Sequence, residues 1–143
     1  MATINKINLF GEEFDIEGST PSPNVLWDGA YYMGGDQSVS LDALISSQPT
    51  GIVLVFTTYD SSAGIPLDTN FSSFFVPKNL VANHEGTAST FQMNTVMFGT
   101  IATKKLYISD DSITGDDNNT SKGTANGITY NNAHYVLRYV IGV

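Results

Sequence analysis

Cysteine is absent from the 143 residues. Its absence removes disulfide scaffolds, thiolate zinc sites and cysteine nucleophiles from consideration. Charge is scarce as well. Charged residues make up 14% of the chain, against about 25% in a typical domain, and Arg138 is the sole arginine. Six basic residues face fourteen acidic ones, a net charge of −8. Such a chain repels phosphate, so no nucleic-acid partner is expected. No basic segment leads into an apolar run, so no secretory signal is read and synthesis in a cytoplasm is expected. The longest apolar runs, such as Ile52 to Phe56, fall far short of the roughly 20 residues of a membrane span, and no membrane partner is expected. The Asn-X-Ser/Thr sequences at Asn70, Asn118 and Asn119 therefore carry no glycosylation argument.

What is present points to strands. Hydrophobic residues at 41% and aromatics at 11% suffice for a core and are too many for a disordered chain. Polar surface comes from 15 Thr, 14 Ser and 12 Asn, residues that suit strands and turns better than long helices. The length is that of one ordinary domain, with room for a short arm.

Residues 1–23 differ from the rest. They end in Ser19-Thr20-Pro21-Ser22-Pro23, and proline both restricts the residue before it and cannot donate to a ladder. This segment reads as an extended N-terminal arm and linker, and residues 24–143 as the globular domain. From Val25 onward, short apolar runs are cut by turn residues at the spacing of a sandwich or barrel. Strands are expected over Val25–Met33, Gln37–Leu41, Gly51–Tyr59, Phe71–Val76, Ser89–Met93, Val96–Thr103, Lys105–Ser109, Ile128–Asn131 and Tyr135–Ile141. Gly51–Tyr59 is apolar on both faces and reads as a central strand. Asp110 to Gly127 reads as a long polar loop, and Leu41–Ser47 as the one stretch able to form a helical turn. The fold class is all-β: an antiparallel β-sandwich, jelly-roll-like.

Few constellations suggest chemistry. The acidic loop from Asp110 to Asn119 offers oxygens for calcium, but its spacing lacks the alternating ligands and terminal Glu of a helix-flanked calcium loop. Solvated turns are the plainer reading, and neither metal nor cofactor is expected. Asp28 and Glu85 are the acids least unsuited to glycoside hydrolysis, yet no acid lies inside an apolar strand where its pKa would rise. His84 and His134 are the only histidines, and no Gly-X-Ser-X-Gly elbow exists to seat a nucleophile. The chain therefore reads as non-enzymatic. Trp27, Tyr31 and Tyr59 are the candidate sugar-stacking aromatics, with core packing as the competing role. Trp27 and Tyr31 share a strand face across Gly29, and Tyr32 points the other way. Arg138, mid-strand among valines, demands a carboxylate or carbonyl partner, within the chain or across a subunit contact. Both faces of Tyr135–Ile141 are largely apolar. Arg138, Tyr139, Val140 and Val143 are accordingly assigned to structure or oligomer contact.

Several stretches carry a resemblance. They are Gln48-Pro49-Thr50-Gly51-Ile52-Val53-Leu54-Val55-Phe56, Phe75-Val76-Pro77-Lys78, Lys105-Leu106-Tyr107-Ile108-Ser109-Asp110 and Ile113-Thr114-Gly115. The strongest runs from Gly123-Thr124-Ala125-Asn126-Gly127 through Ile128-Thr129-Tyr130-Asn131-Asn132 to Tyr135–Val143. Over residues 24–143 the chain resembles small virion proteins and tail-protein domains of bacteriophages, especially phages of Gram-positive hosts. The resemblance implies a structural component of the virion, in the tail, baseplate or fibre, and within that role the aromatics Trp27, Tyr31 and Tyr59 with loop Asn and Asp side chains suggest adhesion to a host saccharide. It implies no catalytic residues. It also implies a homotrimer, since such fibres close by cyclic symmetry, with residues 1–23 attaching to other virion proteins. A head-decorating or assembly protein without a ligand is the alternative, and a saccharide-degrading enzyme a more distant one.

Overall fold

The computed structural model describes residues 24–93 and 99–143, with Gly11 and the backbone of two N-terminal strands. Those strands, β1 (Lys6–Leu9) and β2 (Glu12–Asp15), pair antiparallel around Gly11. The described backbone of the arm is thus a hairpin rather than one extended run.

The domain is mostly β, with antiparallel sheets packed as a sandwich. The first sheet orders β3 (Val25–Tyr31), β13 (Tyr135–Gly142) and β5 (Gly51–Asp60), with β7 (Ser72–Pro77) on the far side of β5. A short β6 (Ile65–Pro66) folds back on the end of β5. The second sheet orders β4 (Ser38–Ser40), β10 (Ser112–Thr114), β9 (Thr103–Ile108) and β8 (Ala88–Gln92). A two-stranded ribbon, β11 (Lys122–Ala125) and β12 (Ile128–Asn131), stands apart from both.

Alternation explains the core. Ile52, Leu54 and Phe56 point inward from β5, and all three are fully buried. They meet Leu106, Ile108 and Ile113 of the second sheet in one apolar cluster. Phe56 and Phe74 from one sheet and Phe91 from the other close a ring trio, with centroids 5.3 to 6.4 Å apart. Such tilted contacts favour aromatic quadrupoles. On β13 the register slips between Leu137 and Tyr139 against β5, a bulge at Arg138. An extra residue resets the alternation, so Leu137 and Val140, three apart, both reach the core.

Three expectations need correction. The stretch 110–127 is not one loop: it holds β10, a 3-10 turn at Asp117–Thr120 and β11. Ile113, its single large apolar residue, is fully buried and fixes β10. The strand expected over Val96–Thr103 falls partly outside the described residues, and over 99–102 the chain turns at Gly99 and makes one parallel bridge from Ile101 to Tyr130. Leu41–Ser47, expected as the one stretch able to form a helical turn, holds a 3-10 turn at Ile45–Ser47, but a short helix, α1 (Lys78–Asn83), also follows Pro77. Val140, assigned above to structure or oligomer contact, is 0% exposed within the single chain.

Candidate functional site

Three groups of residues bear on function, and the first is a buried lysine. Alternation along β9 puts Lys104 on the core side with Leu106 and Ile108. Its ammonium donates to the Tyr32 and Asn119 carbonyls, each at 2.9 Å, and lies 5.7 Å from the Tyr32 ring centroid. Burial lowers its pKa to about 7, because desolvation disfavours the charged form. Asn119, also fully buried, donates to the Met33 and Lys105 carbonyls and accepts from the Lys105 N–H. Together these two side chains tie β9 to the 3-10 turn and to the chain after β3.

The second group is a cleft of about 220 Å³ that includes Tyr32, whose carbonyl takes part in that tie. Tyr32 and Tyr59 meet there edge to face, centroids 5.0 Å apart. Burial raises the Tyr32 phenol pKa, and Tyr59 beside it adds to the effect. Ser61, Thr120, Lys122, Asn131, Ala133 and His134 complete the lining. Asn131 uses its side-chain oxygen to cap the Ala133 N–H at 3.1 Å. Burial pushes the His134 imidazole below its ordinary pKa.

The expected aromatic trio does not converge. Trp27 and Tyr31 touch, with centroids 5.3 Å apart, and the indole lies across Gly29, where a Cβ would strike the ring. Trp27 also packs against the core. The ring contact of Tyr59 is with Tyr32, the tyrosine set on the opposite face from Trp27 and Tyr31. Tyr32 stands outside the expected trio because it faces away from Trp27 and Tyr31, and the cleft was missed because strand order, not local pattern, brings Tyr32 and Tyr59 together.

The third group is the outer face of the first sheet. Cross-strand register aligns Val25, Ile141, Val53 and Phe75 in one row over four strands. Opposite residues in antiparallel pairs share a face, and this face points away from the core. Val25 is 37% and Phe75 55% exposed. Tyr139 and Val55 pair in the next row. Arg138 edges this face: its Nε bonds the Asp68 carboxylate at 2.8 Å, its NH1 donates to the Gly29 carbonyl, and its guanidinium stacks on Tyr139. The carboxylate partner is therefore in the same chain. The Val143 carbonyl accepts from the N–H groups of Thr50 and Gly51, and its N–H returns a bond to Gly51, while its side chain stays 37% exposed.

The acidic loop is engaged with its own chain. Asp110 accepts from the N–H and hydroxyl of Ser46. Asp116 accepts from the Asn118 N–H, the Tyr107 hydroxyl and the Lys105 ammonium. That first bond, joined by the Tyr107 and Lys105 contacts, holds the Asp116 carboxyl below its ordinary pKa. Among the described residues no group of three or more His, Asp or Glu side chains is placed to hold a metal. His84 closes α1, its N–H donating to the Leu80 carbonyl. Asp28 lies on β3 opposite Tyr139, and Glu85 in the turn after α1 accepts from the Asp110 N–H. No family model, curated protein or solved structure matches this chain.

Proposed function

We propose that this chain is a non-enzymatic structural protein of a bacteriophage particle, a tail, baseplate or fibre component that self-associates through the outer face of its first sheet. The observation that carries the assembly reading is the uncharged row Val25–Ile141–Val53–Phe75. An apolar row crossing four strands with Phe75 more than half exposed is exposed apolar surface of the kind that marks an interaction site, bordered by Asp28 opposite Tyr139 in the next row. A second copy suits it because the row is uncharged and repeats on every copy, so cyclic packing about an axis closes the contact. A homotrimer is the favoured count. The resemblance of residues 24–143 to virion proteins supports the particle, and residues 1–23 are the proposed attachment to other virion proteins. Host-saccharide adhesion belongs to the same reading, carried by the Tyr32–Tyr59 cleft, since the Trp27 ring is committed to packing.

Immunogold labelling of purified particles with an antibody raised against this chain tests the particle reading. Label on the virion is expected. A chain found only in the soluble fraction of the lysate would remove it.

A further inference from the structure

The cleft differs in chemistry from the rest of the surface. The chain carries fourteen acidic residues against six basic ones, yet among the described residues no carboxylate lines the cleft. The nearest acid in sequence, Asp60, is turned to its own loop, where it accepts from the N–H groups of Ser62 and Ala63. Lys122 stands in the lining. The Lys104 ammonium is 5.7 Å from the Tyr32 ring centroid but is buried, with its bonds going to backbone carbonyls, so among the described residues Lys122 is the one lysine of the lining.

Its hydrogen-bonding groups combine the Lys122 ammonium with the hydroxyls of Tyr32, Tyr59 and Ser61, which can donate or accept, while the Thr120 hydroxyl donates to the Asp117 carbonyl. Among the described residues neither the Tyr32 nor the Tyr59 hydroxyl bonds a protein acceptor. Asn131 has spent its side-chain oxygen on Ala133, which leaves its amide nitrogen as the free end. Lys122 only donates. Two phenol rings add apolar surface suited to the C–H face of a ring. At about 220 Å³ the cleft lies below the roughly 300–1,000 Å³ of drug-sized sites, which limits it to a single ring-sized group.

We infer that the Tyr32–Tyr59 cleft binds one acidic sugar ring, a uronate-type residue, with its carboxylate toward Lys122, its hydroxyls on the phenols and Asn131, and its apolar edge on the tyrosine rings. This deepens the adhesion part of the function proposed above. The cleft shares no residue with the outer-face row, so binding and assembly fail separately. A monomeric chain that still binds sinks only the assembly reading, and a trimer that does not bind sinks only this one.

The test is a backbone-amide NMR titration of the full chain with D-glucuronate, and in separate arms with D-glucose and inorganic phosphate. Saturable shifts at Ser61, Thr120–Lys122 and Asn131–His134 are expected with glucuronate. Affinity for glucose and for phosphate should be at least about tenfold weaker, the size of one lost charged or ring contact. Lys122→Gln and Tyr59→Ala should each weaken glucuronate binding about tenfold. Lys122 is exposed and Tyr59 only half-buried, and unchanged amide positions elsewhere verify that each variant folds. No saturable shift, equal response to phosphate or glucose, or full affinity in both variants would overturn the inference.

Discussion

The Lys104 ammonium and the Asn119 carbonyl meet at 2.9 Å inside the domain, where both side chains are fully buried and among the described residues no carboxylate pairs with the lysine. Two carbonyls partly compensate the charge, but desolvation still lowers the pKa to about 7.

The pH dependence follows from that shift. An unfolded lysine titrates near 10.4, so between about pH 7 and about pH 10 the unfolded chain holds a proton that the folded chain has released. Stability therefore rises with pH across this window and is lowest below it, with a limiting slope of about 1.4 kcal/mol per pH unit. Tyr32 and Tyr135, whose pKa values burial raises, act in the opposite sense only at about pH 10 and above. Urea midpoints measured across the window should climb for the parent chain and stay flat for Lys104→Met. A flat parent profile would contradict a buried lysine with only partial compensation of its charge.

Asn119→Ala removes both donations to the Met33 and Lys105 carbonyls and the acceptor for the Lys105 N–H. Each buried group left without a partner costs about 1–3 kcal/mol. A loss of roughly 3 kcal/mol or more in denaturant unfolding is expected, large for a single substitution. A loss of under about 1 kcal/mol would mean that the turn is not held in this way.

Gly29→Ala tests the seat of the only tryptophan. The new Cβ would collide with the Trp27 ring, so the indole must rotate toward solvent. A red shift in fluorescence is expected, with an overpacking cost of about 1–3 kcal/mol. Unchanged emission would show that the ring does not lie across the glycine.

These predictions rest on features of unequal visibility in the sequence. Gly51–Tyr59 reads as a central strand because it is apolar on both faces, and β5 indeed has ladders on both sides, to β13 and β7. Lys104 was equally readable: period two from Leu106 and Ile108 puts it on the core face, but a lysine is ordinarily assigned to solvent. Asn126-Gly127 is a hairpin signal, and the positive φ of both residues shows the turn it makes between β11 and β12. Taking that pair as the end of a polar loop hid β11, whose residues are all exposed and carry no apolar pattern. The bulge at Arg138 leaves no local trace, so strict alternation sets Leu137 and Val140 on opposite faces although both reach the core. The cleft depends on which strand ends become neighbours, a matter of topology that no window of sequence contains.

The most direct measurement is the solution mass of the full chain by light scattering, beside Phe75→Asp and a chain lacking residues 1–23. Phe75 is 55% exposed, so its replacement should leave the unfolding midpoint nearly unchanged. A trimer mass is expected for the parent and for the shortened chain, and a monomer for Phe75→Asp. A monomeric parent, or a Phe75→Asp chain that keeps the parent's mass, would contradict assembly through the outer sheet face.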